Sequence, residues 1–385
     1  MLKALLPLIA ATVTLGAQEV TENKEVANHY LSLKLESERA ITTGVAYLKG
    51  QQQPEGHWGD PKTPAVTALA LTAVLRDPSF DHDGEIPEWV SKGFDFLRSC
   101  KKPDGGIYGK GLATYNTSTS MIAFLALGKE EDEPLILSAR AFLINQQTDW
   151  GNKGETDDQF DGGIGYGGSY PHSDMSNTYL SLEALYHSKQ LATDSKHGKQ
   201  PKLDWEAALQ FVSRCQNLTE TNDQPFASDD PDNKGGFVYF PADSKAGEQE
   251  LPDGTVALRS YGSMSYAGLL SFIYADLEKD DPRIVAVLDW LGRNYTLAEN
   301  PGLGEQGLYY YYQTIAKALS AAGVDKLKLP DGKEADWRLD LTRKLLANQR
   351  EDGSWINSNS RWWENDPVLV TSYTVLSLAQ LHAVM

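Results

Sequence analysis

The chain has 385 residues, of which 41% are hydrophobic and 23% charged, and it carries a formal net charge of -18. That balance excludes a disordered chain, which buries too little apolar surface to fold. It also argues against nucleic acid or an anionic membrane as partner, because both demand a basic patch.

Residues 1–17 read as a signal peptide: Lys3 gives the positive start, Ala4 to Leu15 an apolar stretch, and Gly16-Ala17 small residues suited to cleavage. Export, periplasmic or secreted, is the expectation. No other segment is expected to reach the ~18 apolar residues of a bilayer helix, so no transmembrane span remains after signal removal. Residues 18–38 are expected to form a leading helix or strap, and residues 39–385 one domain.

That domain is expected to be all-α, because it reads as six repeats of one helical hairpin. In each unit an amphipathic helix ends near a Gln, a Gly-rich loop with an aromatic follows, and a second helix rich in Ala and Leu completes it. The first unit runs Ile41 to Gln53, Gly56-His57-Trp58, Thr67 to Leu75. The second runs Trp89 to Cys100, Asp104 to Tyr108, Ser118 to Leu127, and the third Leu135 to Gln147, Asp161 to Tyr166, Ser176 to Tyr186. The fourth has Trp205 to Gln216, Gly235 to Tyr239 and Ser263 to Tyr274. The fifth has Ile284 to Tyr295, Gly302 to Gly307 and Tyr310 to Leu319, and the sixth Trp337 to Gln349, Asp352 to Trp355 and Val370 to Leu381.

One register joins the second helices, a hydroxyl residue seen as Thr67, Ser120, Thr178, Ser265, Tyr312 and Thr371. A lone hairpin cannot bury both faces of two helices, so hairpins stack, and six can close on themselves. The expected architecture is an α/α toroid, an α6/α6 barrel: the second helices, apolar over most of their circumference, form the inner ring, and the more charged first helices the outer ring. Cys100 and Cys215 end the first helices of non-consecutive repeats, too far apart for the ~7 Å that a disulfide tolerates, and are expected as buried thiols.

Three loops carry a resemblance. Gln52-x-x-x-Gly56-x-Trp58 and Gln349-x-x-x-Gly353-x-Trp355 resemble the QW motifs of squalene and oxidosqualene cyclases, and Gly235-Gly236-Phe237 is similar to the loops of protein prenyltransferase β subunits. The likeness spans about residues 40 to 383 and points to fold more than to function. Class II terpene cyclases place an acid in an Asp-x-Asp-Asp-Thr run at the start of an inner helix. The matching run here is Asp174-Met175-Ser176-Asn177-Thr178, so the resemblance puts Ser176 where the acid belongs, and a hydroxyl cannot protonate an alkene. Asp174 is then the best catalytic candidate. Glu155-x-Asp157-Asp158 is closer as a string but precedes the Gly-rich loop and reads as turn formers.

Prenyltransferases put zinc ligands at the same register. Asp174-x-Ser176 and Tyr261-x-Ser263 stand there instead, with no cysteine or later histidine in place, so no metal and no cofactor is expected. Gly302-Leu303-Gly304-Glu305-Gln306 resembles the thioester motif of complement toroids with Leu303 at the reactive Cys position, which rules the thioester out.

In a closed ring all inner helices start on one side, so their N-terminal polar residues converge at one mouth. The candidate ligand site is Asn116, Ser118, Asp174, Ser176, Asn177, Arg259, Tyr261, Ser263, Tyr310, Tyr311, Gln313 and Asp366, with Thr117 beside them and Trp362-Trp363 as a rim. Helix starts favour anionic or hydrogen-bonding groups, while Ser, Thr, Asn and Asp there also serve as caps. Three functions stay open: a toroid that binds a small-molecule, lipid, glycan or peptide ligand without standard cyclase or zinc prenyltransferase chemistry; a divergent terpenoid cyclase or transferase; and a polysaccharide-active enzyme using paired carboxylates such as Asp174 and Asp366.

Overall fold

The computed structural model describes residues 7–167, 170 and 172–385, with side chains from residue 29 onward. Helix α1 (Pro7–Gln51) is continuous, so the expected strap 18–38 and the first outer helix are one element. Residues 1–6 of the expected signal peptide lie outside the described residues. The other helices are α2 (Ala65–Leu75), α3 (Glu88–Ser99), α4 (Ala113–Leu127), α5 (Glu133–Ile144), α6 (Met175–His187), the short α7 (Lys189–Thr193) and α8 (Trp205–Arg214). After them come α9 (Gly262–Tyr274), α10 (Pro282–Arg293), α11 (Leu308–Ala322), α12 (Trp337–Ala347) and α13 (Pro367–Val384). The strands are two short antiparallel hairpins: β1 (Glu248–Glu250) with β2 (Val256–Leu258), Gln249 opposite Ala257, and β3 (Leu327–Lys328) with β4 (Glu334–Ala335). The chain is predominantly helical.

Burial sorts the helices as their sequences dictate. α3 buries Val90, Gly93, Phe94 and Leu97, one stripe at helical spacing, while α2 buries every residue from Thr67 to Leu75. The fully buried type packs in sequence: α2 on α4, α4 on α6, α6 on α9, α9 on α11, α11 on α13, and α13 back on α2. The amphipathic type lies outside these, α3 on α2, α5 on α4, α8 and α10 on α9, and α1 and α12 on α13. One expectation is corrected here. The 18-residue α13 has a mean hydropathy of 1.3, long and apolar enough to cross a membrane, but 67% of it is buried among the other helices.

The shared register has a mechanical meaning. Inner-helix hydroxyls accept from the backbone N–H of the loop residue after the glycines: Thr67 from Trp58 at 3.0 Å, Thr178 from Ile164 at 2.9 Å, Ser265 from Phe237 at 3.0 Å and Thr371 from Trp355 at 3.1 Å. In the second repeat the acceptor is Thr117, from Ile107 at 2.9 Å, not Ser120, whose hydroxyl is buried without a partner. In the fifth repeat Tyr312 instead donates to the Leu297 carbonyl at 2.7 Å, because the Asn300 to Gly307 loop folds differently.

In the first, third and fourth repeats a glutamine ties the loop to the next outer helix. Gln52 Nε2 donates to the carbonyls of Gly56 and Trp89, Gln147 to those of Gly162 and Asp204, and Gln216 to those of Gly235 and Arg283. The glycine beside them allows the approach: Gly162 has φ +84, and a Cβ there would stand 1.9 Å from the Ala207 carbonyl oxygen of α8. Trp58 and Trp355 are fully buried, with Nε1 donating to the Leu48 and Leu345 carbonyls at 2.6 and 2.7 Å.

Candidate functional site

The first turns of the inner helices border a cavity of about 820 Å³. α6 supplies Ser176 and Asn177, the start of α9 Tyr261, Ser263 and Met264, α11 Tyr310, α4 Tyr115 and α13 Tyr373. The third- and fourth-repeat loops add Tyr166, Tyr239 and Lys245, and the loop before α13 adds Arg361, Trp362, Trp363 and Glu364. Six tyrosines and two tryptophans therefore face one space.

Asp174 explains how α6 presents its residues. Its carboxylate caps the helix, Oδ1 accepting from the Asn177 backbone N–H at 2.9 Å and Oδ2 from Asn177 Nδ2 at 2.8 Å. The carboxyl is fully buried, and burial pushes it up to about 6 despite those hydrogen bonds. It sits one layer behind the cavity wall; Asn177 forms the wall and leaves its Oδ1 buried without a partner. Burial and the charge of Asp174 push the Tyr166 phenol up to about 12 and raise Tyr239 further, so both stay neutral donors. Their hydroxyls stand 3.4 Å apart.

The rim is built by Glu364. Its buried carboxylate accepts from the N–H groups of Tyr309 at 3.2 Å and Tyr310 at 2.8 Å, capping α11 from another repeat, and from Asn357 Nδ2 at 2.7 Å. Burial raises this carboxyl as well. Immediately before it Trp362 and Trp363 are held at φ 54° and 64°, a conformation that costs a non-glycine residue about 1–3 kcal/mol. Trp362 lies against Gly307, and the Arg361 guanidinium lies 5.2 Å from its ring centre.

Of the residues named from sequence, Ser176, Asn177, Tyr261, Ser263 and Tyr310 meet at this cavity, with Trp362 and Trp363 at its rim. Ser118 and Gln313 line a different cavity, which Tyr310 also borders. Asn116 is a buried tie, accepting from Ala65 N at 2.9 Å. Tyr311 is buried in the core and donates to the Thr296 carbonyl at 2.9 Å. Asp366 caps α13 by accepting from Val368 N at 2.9 Å, and Arg259 is exposed away from the cavity. Asp174 and Asp366 are thus both caps, and neither reaches the cavity wall. Lys245 and Glu364 were not anticipated: both lie in aperiodic loops. Glu364 stands two residues before the Asp366 that helix-start logic selects.

This combination defines a terpene cyclase-like fold, divergent in sequence, since no protein-family model and no curated protein matches the chain. Among solved structures it is similar to the type II terpene cyclase MstE from Scytonema. The complex of an MstE variant with its substrate geranylgeranyl dihydroxybenzoate shares 13% identity over 92% of this chain and 100% of that one, at a TM-score of 0.56. The apo enzyme gives 14% identity over 91% and 99%, also at 0.56. At such identities the likeness establishes the fold alone.

Proposed function

We propose that the chain is an α6/α6 toroid whose mouth cavity binds an elongated, isoprenoid-type ligand without standard cyclase or zinc prenyltransferase chemistry. The observation that carries this is the lining of six tyrosines and two tryptophans around about 820 Å³, within the volume range of small-molecule sites. Aromatic faces suit an unsaturated chain, while Arg361 offers a cation for an acidic head; Lys245 is already paired with Asp243 at 3.1 Å. MstE's substrate joins a geranylgeranyl chain to a dihydroxybenzoate. The hydroxyl of Ser176, on the cavity wall, is far too weak an acid to protonate an alkene.

Divergent terpenoid cyclisation is the second reading, and Asp174 favours it: a buried carboxyl raised to about 6 holds a proton at mildly acidic pH. Paired-carboxylate glycoside cleavage finds no support, because Asp174 and Asp366 serve as caps. Export is proposed on residues 1–17 alone; N-terminal sequencing of the extracytoplasmic protein tests it, and a retained Met1 in the cytoplasmic fraction defeats it.

Tryptophan fluorescence titrated with geranylgeranyl dihydroxybenzoate tests binding: saturable quenching lost in Trp362→Ala/Trp363→Ala supports the reading, and no saturation sinks it. Mass spectrometry of the same mixture separates the two readings. A cyclised product that disappears in Asp174→Asn establishes the enzyme, and unchanged ligand establishes the binder.

A further inference from the structure

The central space of the ring is divided in two. Tyr115, Tyr310 and Tyr373 line both the mouth cavity and a second one of about 580 Å³ that opens among the C-terminal ends of the inner helices. The Tyr115 and Tyr373 hydroxyls stand 3.2 Å apart and the Tyr310 and Tyr373 ring centres 6.1 Å apart, so three phenols form the partition.

The second chamber has its own chemistry. Lys317 of α11 donates to the Tyr179 hydroxyl at 2.9 Å and to Glu183 at 2.7 Å. Burial, the largest influence, would lower its pKa, but the charge and hydrogen bond of Glu183 together with the phenols of Tyr274 and Tyr310 outweigh it and hold the ammonium above the ordinary lysine value. This pair is internally neutral. Arg76, at the end of α2, and His187, in the last turn of α6, also face the chamber, and neither side chain has a hydrogen-bond or ion-pair partner among the described residues. His187 is exposed on one side and packs against the Tyr274 ring on the other, and this partial desolvation lowers it below the ordinary histidine value, with Lys317 and Arg76 adding to this against the opposing charge of Glu183. The Ser320 hydroxyl is buried there without a partner. His382, the remaining titratable group apart from the phenols, is engaged by Glu38 at 2.8 Å.

Basic residues at helix C-termini often offset the helix dipole. Lys317 does not fill that role, since Glu183 already matches it and it lies more than a turn inside α11. Among the lining side chains what remains is one positive charge without a partner, neutral donors beside it, and apolar walls from Leu69, Ile122, Leu180 and Leu376.

We propose that this second chamber binds a monocarboxylate with an apolar body, its carboxylate on the Arg76 guanidinium with His187 as second donor. A single negative charge matches the single spare positive one. A phosphate dianion would leave a charge unmatched beside Glu183. The site is independent of the mouth cavity and stands or falls separately from the ligand proposed there.

Isothermal titration of the full chain with decanoate, decanol and decylamine tests it. Decanoate is expected to bind about tenfold or more tightly than decanol. Arg76→Gln, an exposed position that touches no partner, should abolish that preference while leaving decanol affinity and the melting temperature unchanged. Trp363→Ala at the opposite mouth should leave the preference intact. Equal affinities, a preference for the amine, a preference that survives Arg76→Gln, or one lost in Trp363→Ala would each overturn the proposal. Displacement of decanoate by inorganic phosphate at comparable concentration would overturn the carboxylate assignment.

Discussion

Gln349 donates from Nε2 to the carbonyl of Ala40 at 3.0 Å, joining residues 309 positions apart, and the same nitrogen holds the Gly353 carbonyl at 3.0 Å. Gln52, Gln147 and Gln216 likewise make one bond to the glycine of their own loop and one to the start of the outer helix that follows in sequence; Gln349 makes the second to α1. The last hairpin thus uses the ordinary inter-repeat tie to grip α1.

That tie predicts the cost of breaking it. Gln349→Leu leaves the Gly353 carbonyl without its donor, whereas the Ala40 carbonyl keeps the Thr43 hydroxyl at 3.1 Å, and one unsatisfied group costs about 1–3 kcal/mol. The variant is expected to lose roughly 1–3 kcal/mol in urea denaturation, whereas Gln51→Ala, an exposed position on α1, loses nothing measurable. Equal midpoints for Gln349→Leu and wild type would show that the seam contributes nothing.

The loop glycines predict a contrast between two residues of similar backbone. Gly154 and Gly162 both have φ +84, but a Cβ at Gly154 meets nothing within 4 Å while one at Gly162 meets the Ala207 oxygen at 1.9 Å. Gly154→Ala carries only the conformational cost of about 1 kcal/mol. Gly162→Ala must also push α8 away, and is expected to be at least about 2 kcal/mol worse, by analogy with overpacked cores. Thermal denaturation of both variants measures the difference.

Tryptophan truncation tests whether the aromatic loops hold the hairpins together. Trp58→Ala and Trp355→Ala each remove a fully buried ring and an indole hydrogen bond. Each should cost about 3–5 kcal/mol. Unchanged melting temperatures would mean these loops are not structural ties.

The hairpins were legible in the sequence because their signal is periodic and repeated: a glutamine, a glycine and an aromatic recur between helices of two hydropathies. The choice between Thr117 and Ser120 was not, since residues three apart share a helix face and only the loop's depth selects one. Tyr310 and Tyr311 show the same limit. Consecutive residues diverge by ~100°; the first ring faces the cavity and the second the core. Lys245 and Glu364 escaped because loops carry no period. The division of the ring space by Tyr115, Tyr310 and Tyr373 depends on side-chain reach across three repeats, which no spacing encodes.

The final prediction concerns Asp174 and its sign follows from linkage. Its folded pKa is about 6 against 3.8 for an ordinary aspartate, raised by burial, so between those values the native state holds a proton that the unfolded state has released. Stability therefore falls as pH rises from about 4 to about 6, and at neutral pH the buried charge costs roughly 3 kcal/mol relative to acid conditions. Asp174→Asn keeps an oxygen to accept from the Asn177 N–H but has no charge to bury. The variant should match wild type near pH 4 and become the more stable of the two above pH 6, with a flatter profile between. Urea denaturation at closely spaced pH values checks this. A wild-type advantage that grows with pH would show that the ionised carboxylate is what the cap requires, and would remove the raised pKa from which any acid role for Asp174 starts.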